Sequence, residues 1–229
     1  VKSNQHRLVY SLVLPALAIA FLWGVEWVES LSGSNLSALG ILPRTFRGLV
    51  GVITAPMVHG GWSHLLANTT PLYILSAGVI YFYRPIAFRV VLLIYILSGF
   101  WVWVAARQVW HIGVSGVVYG LAFFLFFSGV FRKDIRALSL ALIVALFYGG
   151  MFWGIFPIRD GMSWESHLFG AIAGILAAFH FRHKELPFPK KKYDWDRDDE
   201  FHELESFQPW NYKEMIPPPE GYSYPEETK

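Results

Sequence analysis

Ser115 stands between Gly113 and Gly116 in the run His111-Ile-Gly-Val-Ser-Gly-Val-Val-Tyr-Gly120, where a polar loop gives way to a membrane-length apolar stretch. A serine inside an apolar helix folds its hydroxyl back onto a carbonyl of the preceding turn, but at a helix entrance that partner is missing. The flanking glycines carry no side chain to block a substrate carbonyl, and the unpaired amides of a first helical turn face any oxyanion formed beside the serine. Ser115 is therefore a candidate nucleophile, with Tyr119 one turn below it on the same face. Such a nucleophile needs a base. His167 is the candidate: it opens another apolar stretch and is followed by Gly170 and Gly174, as Ser115 is followed by Gly116 and Gly120. Each glycine pair makes a small-xxx-small face that lets two helix backbones approach closely, bringing serine and imidazole within hydrogen-bond reach.

His64 and Asn68 lie four residues apart and share a helix face. They read either as an interhelical hydrogen-bond pair or as side-chain donors that join the Ser115 amide in an oxyanion hole. His59 reads either as a contributor to the same polar pocket or, the favoured reading, as a residue that structures the approach loop. The acids nearest His167 in sequence are Asp160 and Glu165, and Glu165 projects about 160° away from it on a helix. The expectation is a Ser-His dyad whose imidazole is oriented by packing against Tyr119. Three imidazoles permit zinc, but no His-Glu-x-x-His run is present and no carboxylate accompanies them, so no metal or other cofactor is expected. No predicted helix core holds an aspartate, which removes a two-aspartate mechanism.

The elements that must position these side chains are membrane spans. Hydrophobic residues make up 54% of the 229 residues and charged ones only 16%, proportions that fit a membrane protein rather than a soluble domain. Residues 1–184 carry 13 basic and 5 acidic side chains, and residues 185–229 carry 6 and 12. The apolar part is thus basic and the tail acidic. No basic groove with spaced stacking aromatics appears, so nucleic acid is not an expected partner, and the absence of cysteine excludes disulfides. The first apolar run lacks a small-residue cleavage site and reads as a retained helix.

Six spans are predicted, over about 8–28, 62–83, 87–106, 113–130, 137–156 and 164–181, with Arg84 and Pro85 ending the second. The Ser/Gly/Leu/Pro mixture over 31–50 is expected to lie at the interface or against the bundle. Lys2, Arg7, Arg84, Arg89, Arg132, Lys133, Arg136, Arg182, Lys184 and Lys190 to Lys192 fall on one side, which makes both termini cytoplasmic. The second, fourth and sixth spans then all enter from the opposite side, so His64, Asn68, Ser115 and His167 share a depth of about 5 to 10 Å along the helix axes. Residues 185–229 mix charge, proline and aromatics without helical or strand period and read as a largely disordered cytoplasmic tail, whose acidic aromatic stretch suits a cytoplasmic partner.

Together these residues resemble the rhomboid family of intramembrane serine proteases, from the first span to the sixth. The likeness rests on Gly113 to Gly116 with Tyr119, on His64 and Asn68, and on His167 with Gly170 and Gly174. The chain departs from the family's frequent Trp-Arg pair after the first span, whose positions correspond to Val50 and Gly51. The resemblance implies an all-α, six-helix bundle with Ser115 as nucleophile and His167 as base. His64, Asn68 and the Ser115 amide would form the oxyanion hole, and Tyr119 would stack on His167. It also implies that substrates are transmembrane segments of other proteins, admitted sideways between the second and fifth spans. There Tyr148, Phe152 and Trp153, interspersed with glycines, read either as a movable gate or as lipid-facing bulk. The site would open to the non-cytoplasmic side, most simply of the plasma membrane. The competing class is a non-catalytic binder of transmembrane segments with the same fold; a transporter is disfavoured by the lack of inverted repeats.

Overall fold

The computed structural model describes residues 2–147, 153–158 and 161–184, all within one compact unit. The helices are α1 (Lys2–Ser32), α2 (Phe46–Thr54), α3 (Trp62–Phe82), α4 (Ala87–Ala105), α5 (Ser115–Arg132), α6 (Ile135–Phe147) and α7 (Trp164–Phe181), with 3-10 turns at Leu36–Leu39, Ala55–Met57 and Trp153–Ile155. Among the described residues the extended chain pairs as one isolated antiparallel bridge, Ile41 to His111. Four helical segments are long and apolar enough to cross a bilayer: His6–Ser32, α3, α4 and α5. Shorter apolar helices lie at Phe46–Met57 and Ile135–Leu146. α7 matches α5 in length at 18 residues but admits Glu165, His167 and His180.

α5 is the centre of the bundle. Its spanning window is 67% buried against 17% for α1, and it packs on α3, α4, α6 and, most extensively, α7. The α5–α7 seam follows from glycine. A Cβ on Gly170 would stand 2.0 Å from the Gly116 carbonyl oxygen, and one on Gly174 would stand 2.1 Å from that of Gly120. With no side chains between them the backbones touch, the small-residue solution to packing where no hydrophobic drive separates protein from lipid.

Residues 31–50 lie against the bundle, as expected. At the two positions that correspond to the family's Trp-Arg pair, Val50 is exposed and Gly51 is buried, and anchoring is by absence of side chain. A Cβ on Gly51 would meet the Gly40 carbonyl oxygen at 2.1 Å, and one on Gly48 would meet that of Leu42 at 1.9 Å. Trp103 donates its indole N–H to the Thr45 carbonyl at 2.8 Å, Arg44 reaches the Ala106 carbonyl at 2.8 Å, and the Tyr95 hydroxyl donates to the Ile53 carbonyl.

Three predicted boundaries move. The first span, expected over about 8–28, belongs to a helix that runs from Lys2 to Ser32 and takes in the start of the 31–50 segment. The fourth span starts at Ser115 rather than Gly113, because Gly113 has φ +101° and Val114 caps the helix. The predicted fifth span is not one helix to Phe156. α6 extends to Phe147, 148–152 lie outside the described residues, and Trp153 sits on a 3-10 turn. Pro157, which has no N–H and restricts the residue before it, ends any helical run there. The expected tail, 185–229, also lies outside the described residues.

At one end of the bundle, arginines cap carbonyls at helix C-termini, the favourable place for a cation. Arg7 donates to the Tyr81 carbonyl at 2.6 Å, and Arg132 donates to the carbonyls of Phe181 and, at 2.9 Å, Lys184. The candidate site lies at the other end.

Candidate active site

Ser115 is the first residue of α5 and His167 the fourth of α7. The glycine seam brings them together. Ser115 Oγ and His167 Nε2 are 2.8 Å apart, and both residues are buried. His167 Nδ1 lies 2.8 Å from the Gly154 carbonyl oxygen. A carbonyl only accepts, so Nδ1 carries the proton and Nε2 presents its lone pair to the serine hydroxyl, the tautomer a general base needs. The Tyr119 ring lies parallel to the imidazole, centroids 4.2 Å apart and planes 5° apart. Stacking was expected; the Gly154 acceptor was not. Gly154 also has to be glycine, since a Cβ there would be 2.0 Å from the Tyr119 hydroxyl and 3.1 Å from His167 Nδ1.

His64 and Asn68 lie in the first two turns of α3. His64 Nδ1 accepts from the Gly60 amide at 3.2 Å, which leaves the ring proton on Nε2. That edge faces the loop before Ser115: a Cβ on Gly113 would stand 3.0 Å from Nε2. Gly113 thus meets two demands at once, a positive φ and room for an imidazole. Asn68 donates one amide hydrogen to the His64 carbonyl at 3.0 Å. Gly116 lies in the seam with α7, on the close-approach face that its spacing from Gly120 predicts. Its missing side chain makes room for the Ser166 carbonyl, 3.0 Å from where a Cβ would sit, so its role is packing against α7.

His59 is buried and accepts the Val114 amide hydrogen through Nε2 at 3.4 Å, with its ring edge-on to His64 at 5.2 Å. This is the structural role expected of it. Burial, and then His64, push its pKa down to about 4, opposed by the Met57 backbone. A neutral ring is what the Val114 amide requires.

Of the three expected gate residues, Tyr148 and Phe152 lie outside the described residues, and Trp153 is 60% exposed, its ring 6.3 Å from that of Phe156. Trp153 adjoins Gly154, so the turn that presents Trp153 also carries the acceptor for His167. Sequence reading missed Gly154 because a backbone carbonyl has no residue-type signal; the available hint was a glycine set among aromatics before Pro157. Among the described residues no group of three or more His, Cys, Asp or Glu side chains converges as a metal site.

The fold and this site define a multi-helix integral membrane protein with a buried Ser-His pair at one end of its bundle. The Rhomboid domain family matches residues 47–184, which is more than half of the chain, and the chain belongs to that family. It is 38% identical over 175 residues to an uncharacterized protein of Mycobacterium tuberculosis, covering 70% of this chain and 71% of the relative. An uncharacterized Mycobacterium bovis protein matches to the same extent. One from Mycobacterium leprae is 33% identical over 171 residues, covering 70% and 67%.

Proposed function

We propose that the chain is an intramembrane serine endopeptidase that cleaves transmembrane segments of other proteins near the non-cytoplasmic face. The observation that carries this reading is the 2.8 Å contact of Ser115 Oγ with His167 Nε2, backed by the 2.8 Å contact of Nδ1 with the Gly154 carbonyl. In the first step Ser115 Oγ attacks the scissile carbonyl carbon as His167 Nε2 takes its proton, and the Gly154 carbonyl stabilises the resulting imidazolium through Nδ1–H. His64 Nε2–H, the remaining Asn68 N–H and the Ser115 amide donate to the oxyanion. His167 then returns its proton to the leaving amine, which gives an acyl-enzyme. Water loses a proton to Nε2 as it attacks the ester, and His167 gives that proton to Ser115 Oγ as the acyl C–O bond breaks, which frees the acid product and restores the dyad.

The frame for this chemistry is a six-span bundle with α7 and the segment containing α6 as its last two spans, both termini cytoplasmic, in the plasma membrane. Residues 185–229 form a tail available to a cytoplasmic partner, and substrate enters between α3 and α6. A helical amide is sterically closed and hydrogen-bonded, so the substrate unwinds before it reacts.

The test is cleavage of single-pass reporters in proteoliposomes. The wild type should cut, and Ser115→Ala and His167→Ala, folded to the same extent, should each lose at least about 10³-fold in kcat/KM. Cutting by Ser115→Ala, or silence of the wild type across helix-destabilised reporters, would favour a non-catalytic binder of transmembrane segments.

A further inference from the structure

The glycine seam between α5 and α7 fixes how close the two helices come, but glycines supply no interlocking side chains to fix how far one slides along the other. Arg132 ties the far ends of the two helices through the Phe181 and Lys184 carbonyls, and at the site end another tie must hold the axial register that puts Ser115 opposite His167. We infer that Arg107 and Glu165, with His111 and Ser163, are positioning residues that set this register, an inference that rests on the protease reading.

Glu165 stands two residues before His167 and is 3% exposed, yet its carboxylate is engaged at both oxygens by one residue of the loop that leads to Ser115. Arg107 donates Nε to Oε1, Nη2 to Oε2 at 3.1 Å and its backbone N–H to Oε1 at 3.3 Å. Its Nη2 also reaches the Met162 carbonyl at 3.0 Å. A fork on a fork fixes direction as well as distance, which an isolated charge pair does not. A second tie runs alongside it. His111, 1% exposed, has Nε2 2.9 Å from the Arg107 carbonyl and Nδ1 2.5 Å from Ser163 Oγ, which is 2.6 Å from Ser166 Oγ. The carbonyl requires the proton on Nε2, so Nδ1 accepts from Ser163, and Ser163 accepts from Ser166.

The loop is fixed from behind as well. His111 exchanges both backbone hydrogen bonds with Ile41 at 2.9 Å, and the Gly113 amide donates to the Ala55 carbonyl at 2.9 Å. The chain from Arg107 to Val114 is thus a rigid strap, tied at one side to α2 and its approach and at the other to the first turn of α7. The hydrogen bonds of the dyad run between Ser115 Oγ, His167 and the Gly154 carbonyl, whereas Arg107, His111, Ser163 and Glu165 bond to one another, to Ser166 and to the backbone around them. Their part is the placement of Ser115 and His167.

The experiment uses the full chain in detergent or proteoliposomes, with two readouts per folded molecule: kcat and KM on a single-pass reporter, and the rate of Ser115 labelling by a small fluorophosphonate, which needs the dyad but no transmembrane substrate. Glu165→Gln and Arg107→Ala should lower kcat and labelling about 10- to 100-fold with KM within about threefold, the consequence of misplacing reacting groups by an ångström or less. Arg107→Lys, which keeps the charge but loses the fork, should fall between Arg107→Ala and wild type. Ser163→Ala, the mildest change, should lower labelling about fivefold. Glu29→Gln is the structural comparator, since Glu29 accepts from the Leu36 amide at 2.8 Å on the α1 side; it should lower thermal stability and leave both readouts unchanged. The inference is overturned if folded Glu165→Gln and Ser163→Ala label at the wild-type rate, if Arg107→Lys is no better than Arg107→Ala, or if Glu29→Gln loses labelling equally. A wild type that labels and cuts while Glu165→Gln does the same sinks the positioning role alone. A wild type that neither labels nor cuts sinks the protease reading, and the positioning role with it.

Discussion

A serine hydroxyl becomes nucleophilic only when its proton has somewhere to go, and here the destination is set by a carbonyl rather than a carboxylate. The Gly154 oxygen holds the proton on His167 Nδ1 without adding a second buried charge, whose desolvation in a membrane interior is costly. Negative charge is expected instead on the substrate oxygen in the tetrahedral intermediate. Because one Asn68 amide hydrogen is already given to the His64 carbonyl, each α3 side chain has one donor left for that oxyanion. Removing either should therefore cost a single donor. His64→Ala and Asn68→Ala are each expected to lower kcat about 10²- to 10³-fold with little change in KM, read by steady-state cleavage of a single-pass reporter. A pure rise in KM would assign them to substrate binding, and no change would leave them as an interhelical pair.

At the scale of elements, the dyad exists because α5 and α7 touch backbone to backbone. Gly170→Ala places a methyl carbon 2.0 Å from the Gly116 oxygen, which the helices relieve only by separating. The expected cost is about 1 to 3 kcal/mol of stability, with cleavage per folded molecule down about 10²-fold. Gly24→Ala in α1, where nothing lies within 4 Å of the added methyl, should be neutral or stabilising by up to about 1 kcal/mol. Thermal unfolding and reporter cleavage on the two variants separate seam geometry from helix propensity; equal behaviour would discard the seam as the positioning element. This seam was legible in sequence because glycines four apart are a side-chain pattern. The ends of α3, α4 and α7 were legible because apolar length and the Arg84-Pro85 stop are compositional. The strap was not. Arg107, His111 and Glu165 read as loop polar residues and an off-axis acid, since their pairing depends on two segments more than fifty residues apart and on a bridge at Ile41. The contact of Gly154 was invisible for a different reason, as the group that matters is common to every residue.

For the whole molecule, the distribution of cations argues the orientation. Arg7 and Arg132 cap carbonyls at one end of the bundle, whereas Arg44 and Arg107 are spent on the loops around Ser115 at the other. If the first end is cytoplasmic, in line with the positive-inside bias, the dyad lies below the opposite face, where the proposed reaction would find water for deacylation and the end of a substrate helix. The chain's lack of cysteine makes this directly testable with single-cysteine variants. Ser34→Cys, exposed in the connection after α1, should react with a membrane-impermeant maleimide in intact cells, and Lys184→Cys, exposed just past α7, only after permeabilisation. The same cells report on the tail: a chain ending at Lys192 should keep this labelling pattern and its cleavage activity while losing cytoplasmic partners captured by the full chain. The reverse labelling pattern would put the site on the cytoplasmic side and turn the proposed substrate geometry over with it. Unchanged capture after truncation would remove the tail from any partner interaction.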